Sequence, residues 1–159
     1  MKILILNGPN LNLLGRREPG IYGNSSLKEI MDGAVKQGKS LHCQVESFQS
    51  NEEGALITRI GQSSGQYDGI IINPAGYTHT SVALRDAILA CGVPCVEVHL
   101  SNTLAREEFR HASLTAGACV GQVMGFGAMS YHMALSGLVN LIQLRKKDAL
   151  LPKKRGVVR

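Results

Sequence analysis

A glutamate and a histidine stand two positions apart in the middle of the chain, as Glu97 and His99. Side chains two positions apart on a β-strand point to the same side, so the carboxylate can orient the imidazole and favour its protonated form. A protonated imidazole held in this way can act as a general acid near neutral pH. The simpler alternative is a His–Glu pair that only caps the end of a strand.

A tyrosine, Tyr22, lies in the long polar stretch between Asn7 and Gly23, which is rich in Gly, Arg and Glu. Connections in α/β folds usually span about 2–6 residues, so a stretch of this length suggests an active-site lid. A phenol is a poor base at neutral pH because its pKa is about 10, but a nearby cation lowers that pKa. Arg16 and Arg17 can supply this charge, which would make Tyr22 a tyrosinate base. The alternative is a solvated loop whose charges take no part in chemistry.

Two arginines, Arg106 and Arg110, lie four positions apart on a short predicted helix over Ala105–His111. That spacing places both guanidinium groups on one face, where they can bind a carboxylate or a hydroxyl group. They can equally well pair with Glu107 and Glu108 at the surface, and the spacing does not decide between the two.

Other reaction classes lack their signatures in this chain. There is no Walker A sequence, no G-x-G-x-x-G after a strand and no G-x-S-x-G nucleophile turn. None of the eight lysines lies inside a predicted core strand, which argues against imine chemistry. The histidines show no His-x-x-x-His spacing and the four cysteines no Cys-x-x-Cys pair. We therefore expect buried, reduced thiols, no metal and no cofactor.

The net charge of +5 is concentrated at the C-terminus. Seven of the 17 Lys and Arg residues lie between Arg145 and Arg159, beside one of the 12 acidic residues, so the preceding chain is close to neutral. We therefore expect a single domain over residues 1–145 and a flexible basic tail over residues 146–159, with no nucleic-acid partner. No apolar run reaches the roughly 18 residues of a membrane span, and the first residues do not read as a signal peptide. A cytoplasmic protein without membrane contact is expected.

Short β-branched runs alternate with helical periods along the chain. Five strands are predicted, over Ile3–Asn7, Cys43–Phe48, Gly69–Asn73, Pro94–Val98 and Cys119–Gly125. Several are apolar nearly throughout, as in parallel strands that are covered on both faces. The alternation predicts an α/β fold: a flavodoxin-like, doubly wound, five-stranded parallel sheet in the order 2-1-3-4-5, with helices on both faces.

Amphipathic segments between these strands predict the helices. One helix is expected to begin after Ser26, with Glu29 completing a capping box. A second is expected to be capped by Asn51, and a third by Thr78 or Thr80. A long apolar stripe at helical spacing predicts a final helix after the fifth strand.

Polar residues collect where three of the predicted strands end, at residues 7–10, 73–79 and 97–102. Doubly wound sheets bind their ligands in the crevice beyond the carboxyl ends of the strands. The candidate residues of these three clusters are therefore expected to meet at one edge of the sheet.

Four long motifs in the chain resemble the type II dehydroquinases. They are ILNGPNLNLLGRREPGIYG (residues 5–23), FQSNEEG (48–54), INPAGYTHTSVALRD (72–86) and VEVHLSNTLAREEFR (96–110). The resemblance extends over about residues 2–145. It implies reversible dehydration of 3-dehydroquinate to 3-dehydroshikimate by anti elimination through an enolate, in shikimate biosynthesis or in quinate breakdown.

By position, the resemblance implies a catalytic role for five residues. Tyr22 matches the base that removes a proton beside the ketone, and Arg17 matches the cation that keeps this base ionised. Asn10 matches the residue that holds a water molecule at the enolate oxygen. His99 matches the acid that protonates the departing hydroxyl group, and Glu97 orients it.

The resemblance also implies the residues that hold the substrate. The matching ligands for its carboxylate and ring hydroxyl groups are the side chains of Asn73, His79 and Arg110 and the backbone N–H groups of Leu100 and Ser101. Asp86 matches a residue that reaches the site of a neighbouring subunit, because the family forms dodecamers built from trimers.

Three positions depart from the family pattern. Ala75 stands where the family usually has Gly, Glu52 where His is common, and Gly117 where Pro is common. None of the three departures removes a catalytic group. The alternative from another class, a non-catalytic flavodoxin-like module, would need clustered acidic residues or a Ser- and Gly-rich phosphate loop after strand one, and neither is present.

Overall fold

The computed structural model of the chain describes residues 1–15 and 25–150. Within these residues, one parallel sheet carries helices on both faces. Its strands are β1 (Lys2–Asn7), β2 (Gln44–Gln49), β3 (Gly69–Asn73), β4 (Cys95–His99) and β5 (Gly121–Met124). The α-helices are α1 (Leu27–Ser40), α2 (Glu53–Gly61), α3 (Val82–Cys91) and α4 (Met129–Leu150).

The strands lie in the order β2-β1-β3-β4-β5, and each neighbouring pair is parallel. This order confirms the predicted flavodoxin-like, doubly wound fold. The predicted bounds of β3 agree with the structure, and those of the other strands differ by one or two residues. The register aligns Asn7 with Asn73, so the polar ends of the two central strands are direct neighbours.

Alternate residues of the central strands face two separate apolar cores. Ile3 and Ile5 face the core formed with α1 and α4, and Leu4 and Leu6 face the core formed with α2 and α3. All four side chains are completely buried. Burial of an aliphatic side chain of this size stabilises the fold by about 1.5–3 kcal/mol, so these residues hold the strands that carry the site.

The predicted start of α1 is confirmed and that of α2 is wrong. Ser26 Oγ accepts from the N–H of Glu29 (3.3 Å), and the Glu29 carboxylate accepts from the N–H of Ser26 (2.8 Å). Helix α2 begins after Glu52, which provides no side-chain cap. Asn51 does not cap it, because its side-chain oxygen accepts a hydrogen bond from the N–H of Asn10 instead.

The predicted cap of α3 at Thr78 or Thr80 is also wrong. A short 3-10 helix over Ala75–His79 follows β3 and takes up this stretch. Helix α3 begins after it, and Ser81 caps the helix by accepting from the N–H of Leu84 (2.8 Å).

The predicted helix over Ala105–His111 is wrong as well. Two 3-10 turns, Thr103–Ala105 and Glu108–Arg110, occupy this region. Arg106 lies between them with an extended backbone (φ −113°, ψ −163°), and this conformation interrupts any continuous helix.

Helix α4 continues to Leu150, so the domain boundary predicted at residue 145 falls inside it. Lys146, in this last part of the helix, is exposed and pairs with Asp68, with 2.8 Å between Nζ and Oδ1. The flexible basic tail predicted over residues 146–159 stays a prediction, because residues 151–159 lie outside the described residues. In the described ranges, none of the helices is long and apolar enough to cross a membrane. The four cysteines are free thiols, with Cys43, Cys91 and Cys95 buried and Cys119 half-buried.

Candidate active site

A cavity of about 220 Å³ opens beyond the carboxyl ends of β1, β3 and β4. Seven of the predicted site residues line it, namely Asn10, Asn73, His79, His99, Leu100, Ser101 and Arg110. They come from the last residues of β3 and β4 and from the segments that follow β1, β3 and β4. The crossovers of the fold therefore bring together side chains that are far apart in the sequence.

Glu97 lies directly behind His99 and is completely buried. Glu97 Oε1 accepts a hydrogen bond from His99 Nε2 at 2.8 Å. Because Nε2 donates to the carboxylate, Nδ1 is the ring nitrogen that can act on a molecule in the cavity. A carboxylate behind the imidazole and a cavity in front of it is the arrangement that a histidine acid needs.

Three further side chains surround the Glu97 carboxylate. Gln122 Nε2 donates to Oε1 (2.7 Å), the Ser113 hydroxyl donates to both oxygens (3.0 and 3.2 Å), and the Thr115 hydroxyl donates to Oε2. Burial is the largest influence on the pKa of Glu97 and would raise it, but the hydrogen bonds and the charge of His99 together outweigh burial and lower this pKa. The carboxylate therefore stays ionised and stabilises positive charge on His99.

Sequence reasoning missed these three donors. Gln122 lies opposite Glu97 in the register of β4 and β5, so a polar residue inside the predicted fifth strand was a usable signal. Ser113 and Thr115 lie in the connection before β5, and no periodic pattern sets the path of such a connection.

His79 is oriented by the backbone of a distant loop. Its Nδ1 lies 2.7 Å from the carbonyl oxygen of Ala112. A carbonyl only accepts, so Nδ1 carries a proton and Nε2 is left for a ligand. The ring also meets Phe109 edge-on, with the ring centres 6.2 Å apart. These two contacts set the plane and the tautomer of His79.

Arg106 and Arg110 both line the cavity and both contact Glu107. Arg110 Nε lies 2.9 Å from Glu107 Oε2, and Arg106 Nε lies 3.4 Å from the same atom. The guanidinium of Arg110 also lies over the ring of Phe109, 4.7 Å from its centre. A guanidinium carries five N–H donors, more than one carboxylate can accept, so Arg110 can bind Glu107 and a second anion. The two alternatives left open by the spacing are therefore compatible.

Asn10 has a left-handed backbone with φ 65°. Asparagine tolerates this conformation better than most residues do. Its N–H donates to Asn51 Oδ1 (3.0 Å), which also accepts from Gln49 Nε2 (3.0 Å). The segment before Asn10 passes close to the backbone of Pro74. Only glycine fits at position 8, because a Cβ on Gly8 would lie 2.5 Å from the Pro74 carbonyl oxygen.

Ala75, the departure from the family pattern, also has a left-handed backbone with φ 53°. Its N–H donates to Asn73 Oδ1 at 3.1 Å, so this strained residue helps to hold the Asn73 side chain in place. A glycine would adopt this conformation at no steric cost, which explains physically why the family usually has Gly here. Strain of this kind tends to occur at functional sites.

Four predicted site residues do not line the cavity or cannot be placed, and one of them is Glu97, which lies buried behind His99. Tyr22 and Arg17 lie outside the described residues. Asp86 lies exposed on α3 and does not line the cavity of its own chain. Over residues 1–15 and 25–150, no group of three or more His, Cys, Asp and Glu side chains could hold a metal ion.

The fold and the site define a flavodoxin-like α/β protein with a buried, hydrogen-bonded Glu–His pair beside the crevice at the carboxyl ends of its strands. A model of the family "Dehydroquinase class II" matches residues 1–139. The 3-dehydroquinate dehydratase of Parasynechococcus marenigrum (strain WH8102) is 57% identical over 140 residues, which cover 88% of this chain and 96% of that protein. The 3-dehydroquinate dehydratase of Prochlorococcus marinus (strain MIT 9313) is 56% identical over 151 residues, covering 95% and 100%.

A solved structure agrees with these sequence matches. The type II dehydroquinase of Butyrivibrio crossotus DSM 2876 superposes with a TM-score of 0.85 and 47% sequence identity, covering 87% of this chain and 97% of that one. The chain belongs to the class II dehydroquinase family.

Proposed function

We propose that this protein dehydrates 3-dehydroquinate to 3-dehydroshikimate by anti elimination through an enolate. Tyr22, as a tyrosinate, removes a proton from the carbon beside the ketone, and the electron pair forms the enolate. The enolate then expels the hydroxyl group on the carbon β to the ketone, and His99 protonates this group so that it leaves as water. No electrons are gained or lost, and no oxidant or reductant is needed.

One observation carries this proposal: the buried Glu97–His99 pair at the cavity, with 2.8 Å between Oε1 and Nε2. The ionised Glu97 supports an imidazolium that can give up its Nδ1 proton and later recover it. A positioned acid of this kind typically contributes about 10²–10⁴-fold to the rate.

The lining of the cavity supports the choice of substrate. A cyclic keto-acid with several hydroxyl groups needs a cation for its carboxylate and fixed polar groups for its hydroxyls. Arg110 can provide the cation, and Asn73 and His79 can provide fixed polar groups, with the N–H groups of Leu100 and Ser101 nearby. Asn10 is proposed to hold a water molecule that stabilises the enolate oxygen.

Two parts of the proposal come from the family resemblance. Arg17 is proposed to keep Tyr22 ionised. Asp86 is proposed to act at the site of a neighbouring subunit in a dodecamer built from four trimers, and its exposed position on α3 is compatible with that role. A cytoplasmic location and a role in either shikimate biosynthesis or quinate breakdown stay predictions.

The test is a spectrophotometric assay of the purified protein with 3-dehydroquinate, in which the ultraviolet absorbance of the conjugated product is followed. Parallel samples contain EDTA, which removes metal ions, or borohydride, which traps an imine. Turnover is expected to survive both reagents and to collapse in Tyr22→Phe. A folded protein that shows no turnover would contradict the proposed reaction, and inactivation by borohydride in the presence of substrate would contradict the mechanism.

A further inference from the structure

A buried tyrosine from the last helix lies between two asparagines at the ends of the central strands. Tyr131 is completely buried in the third position of α4. Its hydroxyl donates to Asn7 Oδ1 (2.7 Å) and accepts from Asn73 Nδ2 (3.0 Å). Asn7 and Asn73 are register partners at the carboxyl ends of β1 and β3, and both are buried. Of the three residues, only Asn73 lines the cavity.

The hydrogen bonds that link Asn7, Tyr131 and Asn73 have a defined direction. A phenol has one proton, and Tyr131 gives it to Asn7 Oδ1, because the Asn7 amide nitrogen faces Met31 Sδ at 3.5 Å. The tyrosine oxygen is then an acceptor on the side of Asn73. Burial raises the pKa of Tyr131, which keeps this hydroxyl protonated.

The direction of these hydrogen bonds determines the orientation of the Asn73 amide. Asn73 Nδ2 donates to Tyr131, and Asn73 Oδ1 accepts from the N–H of Ala75 (3.1 Å). Rotating the amide by half a turn would place oxygen against an oxygen lone pair and N–H against N–H. Each contact therefore opposes the flip, so the amide of Asn73, a residue that lines the cavity, is held in one orientation.

We propose that Tyr131 is a positioning residue for the dehydration reaction, which acts by fixing the Asn73 amide through its hydroxyl group. The proposal rests on the role of Asn73 as a substrate ligand in the proposed function. Tyr131 itself touches no reacting atom. Its contribution is to deliver one donor of known direction, so that binding of the substrate does not have to order the amide.

The experiment is a double-mutant cycle with 3-dehydroquinate as substrate. Tyr131→Phe removes the hydroxyl and keeps the ring, and Asn73→Ala removes the amide that the hydroxyl orients. We expect each single change to raise KM about tenfold, the size of one lost oriented hydrogen bond, with a much smaller effect on kcat. In the Asn73→Ala background, Tyr131→Phe is expected to change KM less than about twofold, because the two residues act through one contact.

Two further variants separate positioning from stability. Tyr67→Phe removes a buried tyrosine hydroxyl at the opposite end of the sheet, and KM is expected to be unchanged even where the midpoint of thermal unfolding falls. Asn7→Leu removes the acceptor of the Tyr131 proton without touching the cavity lining. It is expected to raise KM as well. If Tyr131→Phe does not fold, this variant still tests whether the hydrogen bonds through Tyr131 position Asn73.

Three outcomes would overturn the inference. If Tyr131→Phe and Asn73→Ala raise KM independently, so that their effects multiply in the double variant, Tyr131 does not act through Asn73. If Tyr131→Phe and Asn7→Leu only lower the unfolding midpoint, the tyrosine is structural. If Asn73→Ala keeps the wild-type KM while the enzyme turns over, the assumed role of Asn73 is wrong, although the proposed reaction still stands.

Discussion

Each end of the parallel sheet carries a carboxylate surrounded by hydrogen-bond donors, but the donors differ. At the amino end, Glu46 lies between two cations, with Lys2 Nζ at 2.9 Å and Arg59 Nη2 at 3.7 Å, and it also accepts from the Tyr67 hydroxyl. At the carboxyl end, the donors to Glu97 are one imidazole and three neutral side chains.

The two carboxylates also differ in what their charge can do. The Glu46 side chain is 35% exposed, and Lys2 and Arg59 neutralise it within the same cluster. Glu97 is completely buried, and His99 is its only charged partner within the described ranges. Because His99 lines the cavity, the charge of Glu97 acts on whatever occupies that cavity. The kind of pairing, more than the kind of residue, distinguishes the end of the sheet that carries the candidate site from the opposite end.

The largest contrast is expected from removing one charged member of the ion pairs at each end. His99→Ala should lower kcat by about 10²–10⁴-fold, because it deletes the proposed acid. Glu46→Gln should leave kcat within about twofold, since its cluster lies at the other end of the sheet. Steady-state kinetics with 3-dehydroquinate would check both. Similar losses from the two substitutions would mean that the two ends do not differ in function.

A second contrast concerns arginine. Arg110→Ala should raise KM roughly 10–150-fold, the equivalent of about 1.5–3 kcal/mol for a hydrogen bond to a charged group, with kcat little changed. Arg59→Ala, at the amino end, should leave KM as it is. If kcat of Arg110→Ala falls as much as KM rises, the arginine contacts the transition state and not only the bound substrate.

A third prediction tests the donors around Glu97. Thr115→Val should lower the free energy of unfolding at pH 7 by about 1.5–3 kcal/mol, whereas Thr58→Val at an exposed position of α2 should have little effect. Because the pKa of Glu97 is lowered by folding, its stabilising contribution is complete above the ordinary value of 4.5 and is lost as pH falls through the lowered pKa. The difference between wild type and Thr115→Val should therefore shrink below pH 4.5, as measured by urea denaturation at several pH values. A constant difference would show that Glu97 is not the group that Thr115 stabilises.

The smallest expected effect is at the strained residue of the site. Ala75→Gly should stabilise the protein by about 0.5–1 kcal/mol. It relieves the strain of a left-handed alanine, about 1–2 kcal/mol, and the greater entropy of glycine in the unfolded chain offsets only part of that gain. Ala87→Gly, inside α3, should have the opposite sign and destabilise by roughly 1 kcal/mol. Thermal unfolding of the two variants would check the signs. A loss of stability in Ala75→Gly would mean that its methyl group makes contacts that outweigh the strain.

Much of the site could be predicted before the structure, because strand periodicity and strand ends are local properties. The two-residue spacing of Glu97 and His99 was enough to place both on one side of β4. The cap of α3 and the helix over Ala105–His111 could not be predicted in the same way. Those segments follow strand ends and lie at the cavity, where 3-10 turns and an extended Arg106 replace the regular helix that local propensity favours.

The sequence by itself determined the class of fold, the number of strands and the segments that carry polar chemistry, since apolar runs and helical stripes are patterns among neighbouring residues. Only the tertiary structure decided which distant groups complete the site. Thr115 and Gln122 meet Glu97, and Tyr131 meets Asn73 across 58 positions, because parallel crossovers and helix packing bring them together. Contacts of this kind depend on packing between elements, and no local pattern records them.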